Sequence, residues 1–159
     1  MREVEGWIAW VRLAAVPFAL LEVLIERGNY PPGYERWAWL TTGVFAAGAL
    51  ALFRFRSLAL PALLFDTAVA SAYVLVYSFE LGTPVRQLLL LPVLEAALRY
   101  GVRGGLLWPL AVVPALALFE WLHGDRHNLP FDPGHVLGPV GIAVLLGLAV
   151  GLLVERLRR

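Results

Sequence analysis

The sequence predicts an all-α integral membrane protein, a six-transmembrane-helix bundle with both termini cytoplasmic. Three observations support this fold class. The chain of 159 residues is 60% hydrophobic and 16% charged, with a mean hydropathy of +0.73, whereas soluble domains are about half apolar and about a quarter charged. The apolar residues fall into six stretches that approach the ~20 residues needed to cross a bilayer. Finally, most arginines lie at one end of these stretches.

The six apolar stretches define the predicted spans of a single transmembrane domain, 1–159. The spans cover approximately residues 6–25, 36–53, 57–79, 84–98, 104–122 and 135–154. The first span follows MREVEG, which contains two acids, and no small-residue cleavage site follows the apolar run. We therefore interpret it as a retained span and not as a cleaved signal peptide. The fourth span is the shortest, and it relies on bundling or local thinning of the bilayer to cross.

The predicted orientation follows from arginine, because arginine-rich connections remain in the cytoplasm. All 13 basic residues are arginine. One side of the predicted bundle carries Arg2, Arg12, Arg54, Arg56, Arg99, Arg103, Arg156, Arg158 and Arg159, and the other carries Arg27, Arg36, Arg86 and Arg126. Both termini are therefore expected in the cytoplasm. The net charge of +1 predicts no nucleic-acid partner, and the lipid bilayer is the expected surrounding.

Four charged residues lie in or near the inner half of the predicted spans. Glu95 and Arg99 are four residues apart on one helix and can form an ion pair. Asp66 lies near the middle of the third span, and Arg12 lies about one turn into the first. Since a charge near the bilayer centre costs roughly 3 kcal/mol or more, we expect these residues to form a buried polar network. Such a network could sense a ligand or a proton, or simply stabilise packing.

A second polar cluster is expected toward the outer side, formed by Glu80, Arg86, Glu22 and Glu120. Glu80 and Arg86 flank the turn ELGTPVR, where both side chains reach water or each other. Interfacial anchoring is the simplest interpretation of this pair.

The outer end of the fifth span contains the pattern ExxHxxxH, formed by Glu120, His123 and His127. On a continuous helix the three would share a face and could ligate a metal. Gly124 and Asp125 predict instead that the helix ends there, so no metal site is expected. Histidines in an acidic outer mouth could also titrate near neutral pH, and ordinary loop histidines are the third interpretation.

The sixth span has small residues at four-residue spacing, including Ala143, Gly147 and Gly151. Such a stripe lets two helix backbones approach closely. It predicts either packing inside the bundle or a homodimer contact through these three residues.

No enzyme signature is present. The sequence lacks HExxH, GxSxG, a Walker motif and cysteine, so no catalytic residue, metal or cofactor is predicted.

Several segments together resemble the N-terminal six-span membrane region of a group of sensor histidine kinases from high-GC bacteria. These segments are RLAAVPFALLEVL (12–24), YPPGYERWAW (30–39), the long central stretch 65–101 and the terminal GLLVERLRR. The resemblance implies a multi-pass input module in the bacterial cytoplasmic membrane that signals as a homodimer to a cytoplasmic kinase domain. The kinase core is not in these residues, so we expect either an excised or split input domain or a module that stands alone.

The predicted function is thus a membrane-embedded sensory module without the kinase core and without enzymatic activity of its own. Two alternatives remain open. The size and topology also suit the substrate-binding subunit of a vitamin uptake system, in which the outer loops would form a lid. A membrane scaffold protein, whose buried charges specify helix partners, is the other alternative.

Overall fold

The computed structural model describes residues 2–55, 57–80 and 84–159, and every regular element in these ranges is a helix. The described residues form five α-helices: α1 (Arg2–Ile25), α2 (Tyr34–Arg54), α3 (Ala59–Val76), α4 (Leu90–His127) and α5 (Gly134–Arg158). Short 3₁₀ helices, Tyr77–Phe79 and Pro84–Leu89, follow α3 and precede α4. The predicted turn at 81–83 and the predicted inner-side Arg56 lie outside the described residues, as do the side chains of Arg2 and Pro84.

Large apolar side chains remain exposed along the helices, as expected for a surface that faces lipid. Within the described residues, five helical segments are long and apolar enough to cross a membrane, and no more than 33% of any such segment is buried. Phe18, Leu107 and Leu145 are each more than 60% exposed. In water this much apolar surface would favour association or aggregation, whereas in lipid it has no such cost.

The chain divides into two compact units, 1–65 and 66–159. In the first unit, α1 and α2 are antiparallel neighbours. The Trp10 ring near the start of α1 meets the Phe53 ring near the end of α2 edge-on, with centroids 5.0 Å apart. Gly48 of α2 lies so close to the Phe65 ring that a Cβ at this position would overlap it.

In the second unit, α4 folds back on itself at Gly101. This residue has φ 64° and ψ −145°, which no α-helix contains. As a result the guanidinium carbon of Arg86 lies 5.4 Å from the centroid of the Phe119 ring, whereas a straight helix would place these residues roughly 50 Å apart. We call the segment around Gly101 the elbow and its two sides the 90–100 limb and the 102–127 limb. No loop separates them, although the sequence predicted a connection at 99–103.

Helix α5 packs against the 102–127 limb with almost no space between the two backbones. A Cβ built on Gly105 would overlap the carbonyl of Gly147, and one built on Gly147 would overlap the carbonyl of Gly105. A Cβ on Gly151 would lie 2.7 Å from the Cα of Val102. Ala143 of the same stripe is also buried.

The small-residue stripe of α5 is therefore filled within the chain. This is the packing interpretation of the stripe, in which Gly147 and Gly151 approach the backbone of the 102–127 limb. A homodimer through these residues stays a prediction.

Replacing Gly101 with alanine is expected to lower the free energy of unfolding by about 2 kcal/mol, because side chains are strained at its φ and ψ. The new methyl group would also lie 2.7 Å from Glu155 Oε1. Denaturant titration in detergent micelles would measure the loss. Gly43→Ala is the matched control, since Gly43 has open space around its Cβ position. Equal stability of the two variants would contradict a strained elbow.

Candidate functional site

A cavity lies at the end of the second unit that contains the loop between α4 and α5. We call it the loop-end cavity. Its volume is about 300 Å³, and it is lined by Glu80, Arg86, Phe119, Glu120, His123, Leu129, Pro130, Asp132 and His135. Three members of the predicted outer cluster, Glu80, Arg86 and Glu120, thus meet here. Its fourth member, Glu22, is exposed on α1 in the other unit.

His135, in the first turn of α5, lies between two carboxylates. Its Nδ1 is 2.9 Å from Glu120 Oε1, and its Nε2 is 3.6 Å from Asp132 Oδ2. Glu120 is only 6% exposed. Its contact with the imidazole of His135 replaces hydrogen bonds to water that the carboxylate loses on burial. Asp132 also accepts a hydrogen bond from the backbone N–H of Gly134 (2.8 Å), which forms an Asx turn directly before α5. These contacts join α5 to the 102–127 limb.

Arg86 crosses from the 3₁₀ helix before α4 to the opposite wall of the cavity. Its guanidinium lies over the Phe119 ring, in cation–π geometry, and its Nη1 donates to the backbone oxygen of His135 at 3.4 Å. The other neighbour of Phe119 is His123, whose ring stacks nearly parallel to it with centroids 5.5 Å apart. The positive charge of Arg86 is therefore directed at an aromatic face and a carbonyl.

The expectation that α4 would stop near Gly124 and Asp125 is wrong, because the helix continues to His127 and ends at Asn128 in the left-handed conformation. Tertiary hydrogen bonds hold this last turn. His123 donates from Nδ1 to the carbonyl of Ser78 (2.9 Å), and His127 donates from Nε2 to the carbonyl of Phe79 (3.2 Å).

These two histidines thus cap the end of the 3₁₀ helix that follows α3. The described residues contain no group of three or more His, Asp and Glu side chains arranged to hold a metal ion. In the ExxHxxxH pattern, the two ring nitrogens satisfy carbonyls that a helix end leaves without partners.

The opposite end of the second unit, which we call the arginine end, contains the predicted ion pair. Arg99 Nη2 lies 2.8 Å from Glu95 Oε1, and the two side chains are 3% and 9% exposed. Both residues belong to the 90–100 limb and precede the elbow directly. The i, i+4 pairing expected from the sequence is confirmed for these two residues by this geometry.

Helix α5 holds both sides of the elbow through its last two turns. Glu155 Oε1 accepts a hydrogen bond from the backbone N–H of Val102 (3.1 Å), at the start of the 102–127 limb. Arg158 Nη2 donates to the carbonyls of Leu98 (2.9 Å) and Arg99 (3.3 Å), at the end of the 90–100 limb. One helix therefore supplies an acid to a helix start and a base to a helix end, which is the favourable arrangement for the helix dipoles.

The wider polar network proposed from the sequence involves both units. Arg12 is buried on α1 in the first unit. Asp66 is the first residue of the second unit and is partly buried, with interacting groups around it. Whether Arg12, Asp66 and Glu95 act together stays a prediction.

Sequence reasoning missed the contributions of Glu155 and Arg158, and it placed His135 on the same outer side as Glu120 without predicting their contact. The only signal for the first two is their three-residue spacing near the end of an apolar helix, which places both on one face. Nothing near His135 in the sequence points to Glu120. These contacts depend on the reversal at the elbow.

The apolar helices, the backbone-to-backbone packing at glycine and the buried ion pair define a multi-pass helical membrane protein. Comparisons with protein-family models, curated proteins and solved structures find no match to this chain. The resemblance to the input region of sensor histidine kinases accordingly stays a prediction.

Proposed function

We propose that this chain is a signal-transducing input module of a bacterial cytoplasmic membrane. A stimulus received in the loop-end cavity shifts α5 against the two limbs of α4, and the elbow carries the change to a partner at the cytoplasmic arginine end. A kinase domain is the partner that the sequence resemblance implies. The observation that carries the proposal is that one helix, α5, lines the cavity through His135 and caps the elbow through Glu155 and Arg158.

The length of the segment 84–100 supports six membrane crossings instead of the five that are counted when Val85–His127 is taken as one span. The segment 84–100 extends about 28 Å if each 3₁₀ residue rises 2.0 Å and each α-helical residue 1.5 Å. Arg86 at its start contacts His135, and Leu98 near its end contacts Arg158. Since this segment runs alongside nearly the whole length of α5, we propose that it crosses the membrane wherever α5 does. An even number of crossings places both termini on one side, which the arginine bias makes the cytoplasm.

Coupling between the two ends predicts a remote effect of a cavity substitution. We expect His135→Ala to increase hydrogen exchange at the Val102 amide about fivefold, because losing the Glu120 contact lets α5 move and weakens a hydrogen bond worth about 1 kcal/mol. Mass spectrometry of peptides covering 98–106, with the protein in lipid nanodiscs, would measure it.

Two further variants make this experiment decisive. Glu155→Ala removes the acceptor of the Val102 amide. Faster exchange in this variant shows that the experiment detects the loss of that hydrogen bond. Leu137→Ala changes an exposed residue on α5 next to the same end and should leave the elbow unchanged. Unchanged exchange in His135→Ala, together with faster exchange in Glu155→Ala, would refute the proposed route.

The loop-end cavity also favours a second candidate, the substrate-binding subunit of an uptake system. In that case the cavity holds a transported molecule, and the elbow need not respond to it. A vitamin that co-purifies with the chain and stabilises it, with no change in exchange at Val102, would support transport over signalling.

A further inference from the structure

Three arginines at the arginine end of the second unit are exposed and have no acidic partner. Arg103 lies two residues after Gly101, at the start of the 102–127 limb, and Arg156 and Arg158 lie in the last turn of α5. In the described part of the chain, none of these three forms an ion pair. Because a guanidinium stays charged at physiological pH, this end of the unit presents positive charge to its surroundings.

The acids at the same end do not offset this charge. Glu95 is buried and is already paired with Arg99. Glu155 accepts the hydrogen bond from the Val102 amide through Oε1, and it is the only acid in the last three turns of α5. Three exposed arginines against Glu155 leave an excess of positive charge, which attracts an anion.

Arg158 is held in place by the elbow. Its Nη2 donates to the carbonyls of Leu98 (2.9 Å) and Arg99 (3.3 Å), which fixes the orientation of the guanidinium. Since this group has five N–H donors, those on Nη1 and Nε remain for an acceptor from outside the described residues. A side chain that is already ordered loses less entropy when it binds. Arg158 therefore suits a phosphate, which arginine binds through charge-assisted hydrogen bonds.

Apolar surface borders these arginines on the same helix. Leu157 and Leu153 are 78% and 57% exposed, and residues four apart share one face of a helix. Arg156 and Arg158 lie about 100° to either side of Leu157 around the helix axis. Since α5 is long and apolar enough to cross a membrane, its last turn is expected at the level of the lipid headgroups. A free anion would contact only the arginines, whereas a phospholipid would also cover the leucines.

From these observations, we propose that the arginine end binds an anionic phospholipid. Arg158 donates hydrogen bonds to the headgroup phosphate, Arg156 and Arg103 add positive charge, and the acyl chains lie along Leu153 and Leu157. Basic residues at the end of a membrane span attract anionic headgroups, and here one of them is already fixed by the protein. The inference goes beyond the proposed function, because such a lipid would bind whether the chain signals or transports.

Native mass spectrometry tests the proposal on the full chain, released from uncharged detergent micelles and titrated with phosphatidylglycerol. Phosphatidylcholine with the same acyl chains is the matched probe, because its choline cancels the charge of the phosphate. Glycerol phosphate, which has no acyl chains, distinguishes a lipid from a soluble phosphate. We expect the first phosphatidylglycerol to bind about tenfold more tightly than either probe, since each basic residue near a headgroup contributes about fivefold in affinity. Added salt should reduce this preference by screening.

Two variants of α5 locate the site. Arg156→Gln should weaken phosphatidylglycerol binding about fivefold, and it removes no hydrogen bond or ion pair within the described residues. Arg158→Gln should weaken binding further, because it also removes the fixed donor group. If Arg158→Gln fails to fold, Arg156→Gln alone decides the test. Arg126→Gln is the control, since Arg126 is an exposed arginine at the opposite end of the same limb, and its affinity should be unchanged.

Three results would overturn the proposal. The first is equal affinity for phosphatidylglycerol and phosphatidylcholine, which would mean that headgroup charge is not recognised. The second is unchanged affinity for phosphatidylglycerol in Arg156→Gln, or the same loss in Arg126→Gln, which would place the lipid elsewhere. The third is binding of glycerol phosphate as tight as that of phosphatidylglycerol, which would replace the lipid with a soluble phosphate.

Discussion

Gly147→Ala is expected to destabilise the protein by about 3 kcal/mol or to prevent folding. A single methyl group at Gly147 would overlap the backbone carbonyl of Gly105. Overpacking usually costs about 1–3 kcal/mol, and the upper end applies because a backbone cannot change rotamer to make room. The two helices would have to separate along their length. Denaturant titration in mixed micelles would measure the free energy of unfolding.

Gly141→Ala is the control for this prediction. Gly141 lies on the same helix, and a Cβ there would have no neighbour within 4 Å. Since alanine is favoured over glycine in a helix interior by about 0.5–1 kcal/mol, this variant should be unchanged or slightly more stable. If Gly147→Ala instead altered only the oligomeric state, with no loss of stability, then the stripe would serve a dimer and not the packing of α5.

Arg99→Met is expected to cost about 3–5 kcal/mol, because it leaves the Glu95 carboxylate buried without the guanidinium that lies 2.8 Å away. Breaking a buried pair by removing one partner generally has this effect. The double variant Glu95→Leu/Arg99→Met should be less destabilised than Arg99→Met alone, since it also removes the charge that lost its partner. The same unfolding titration measures both.

The exposed pair of Arg27 and Glu35 provides the comparison. Their closest atoms are 3.8 Å apart, and the side chains are 70% and 42% exposed, so Arg27→Met should cost less than about 1 kcal/mol. If Arg27→Met and Arg99→Met lowered the free energy of unfolding by similar amounts, burial of the Glu95–Arg99 pair would not increase the cost of breaking it.

The helices themselves were largely predictable from the sequence. Predicted spans 6–25 and 36–53 lie within α1 and α2, and 135–154 lies within α5. The length of an uninterrupted apolar run determines these helices, and that length can be read from the sequence without knowing any tertiary contact. The prediction failed at Gly124 and Asp125, where local propensity indicated an end. Hydrogen bonds from His123 and His127 to a distant 3₁₀ helix hold that turn instead.

The candidate site was only partly predictable. Glu80, Arg86 and Glu120 line one cavity, and the sequence grouped them because residues at the same ends of successive spans are expected to come together. Glu22 was grouped by the same reasoning and belongs to the other unit. Glu95 and Arg99 were predictable as a pair because helix geometry alone places residues four apart on one face.

The sequence by itself determined the class of protein, because composition and the length of apolar runs decide whether helices can exist in lipid. Only the tertiary structure decided which polar groups meet. His135 reaches Glu120, and Glu155 reaches the Val102 amide, because the chain reverses at Gly101 and glycine lets α5 approach the 102–127 limb. Contacts between residues so far apart in the chain depend on that packing, and no local pattern encodes them.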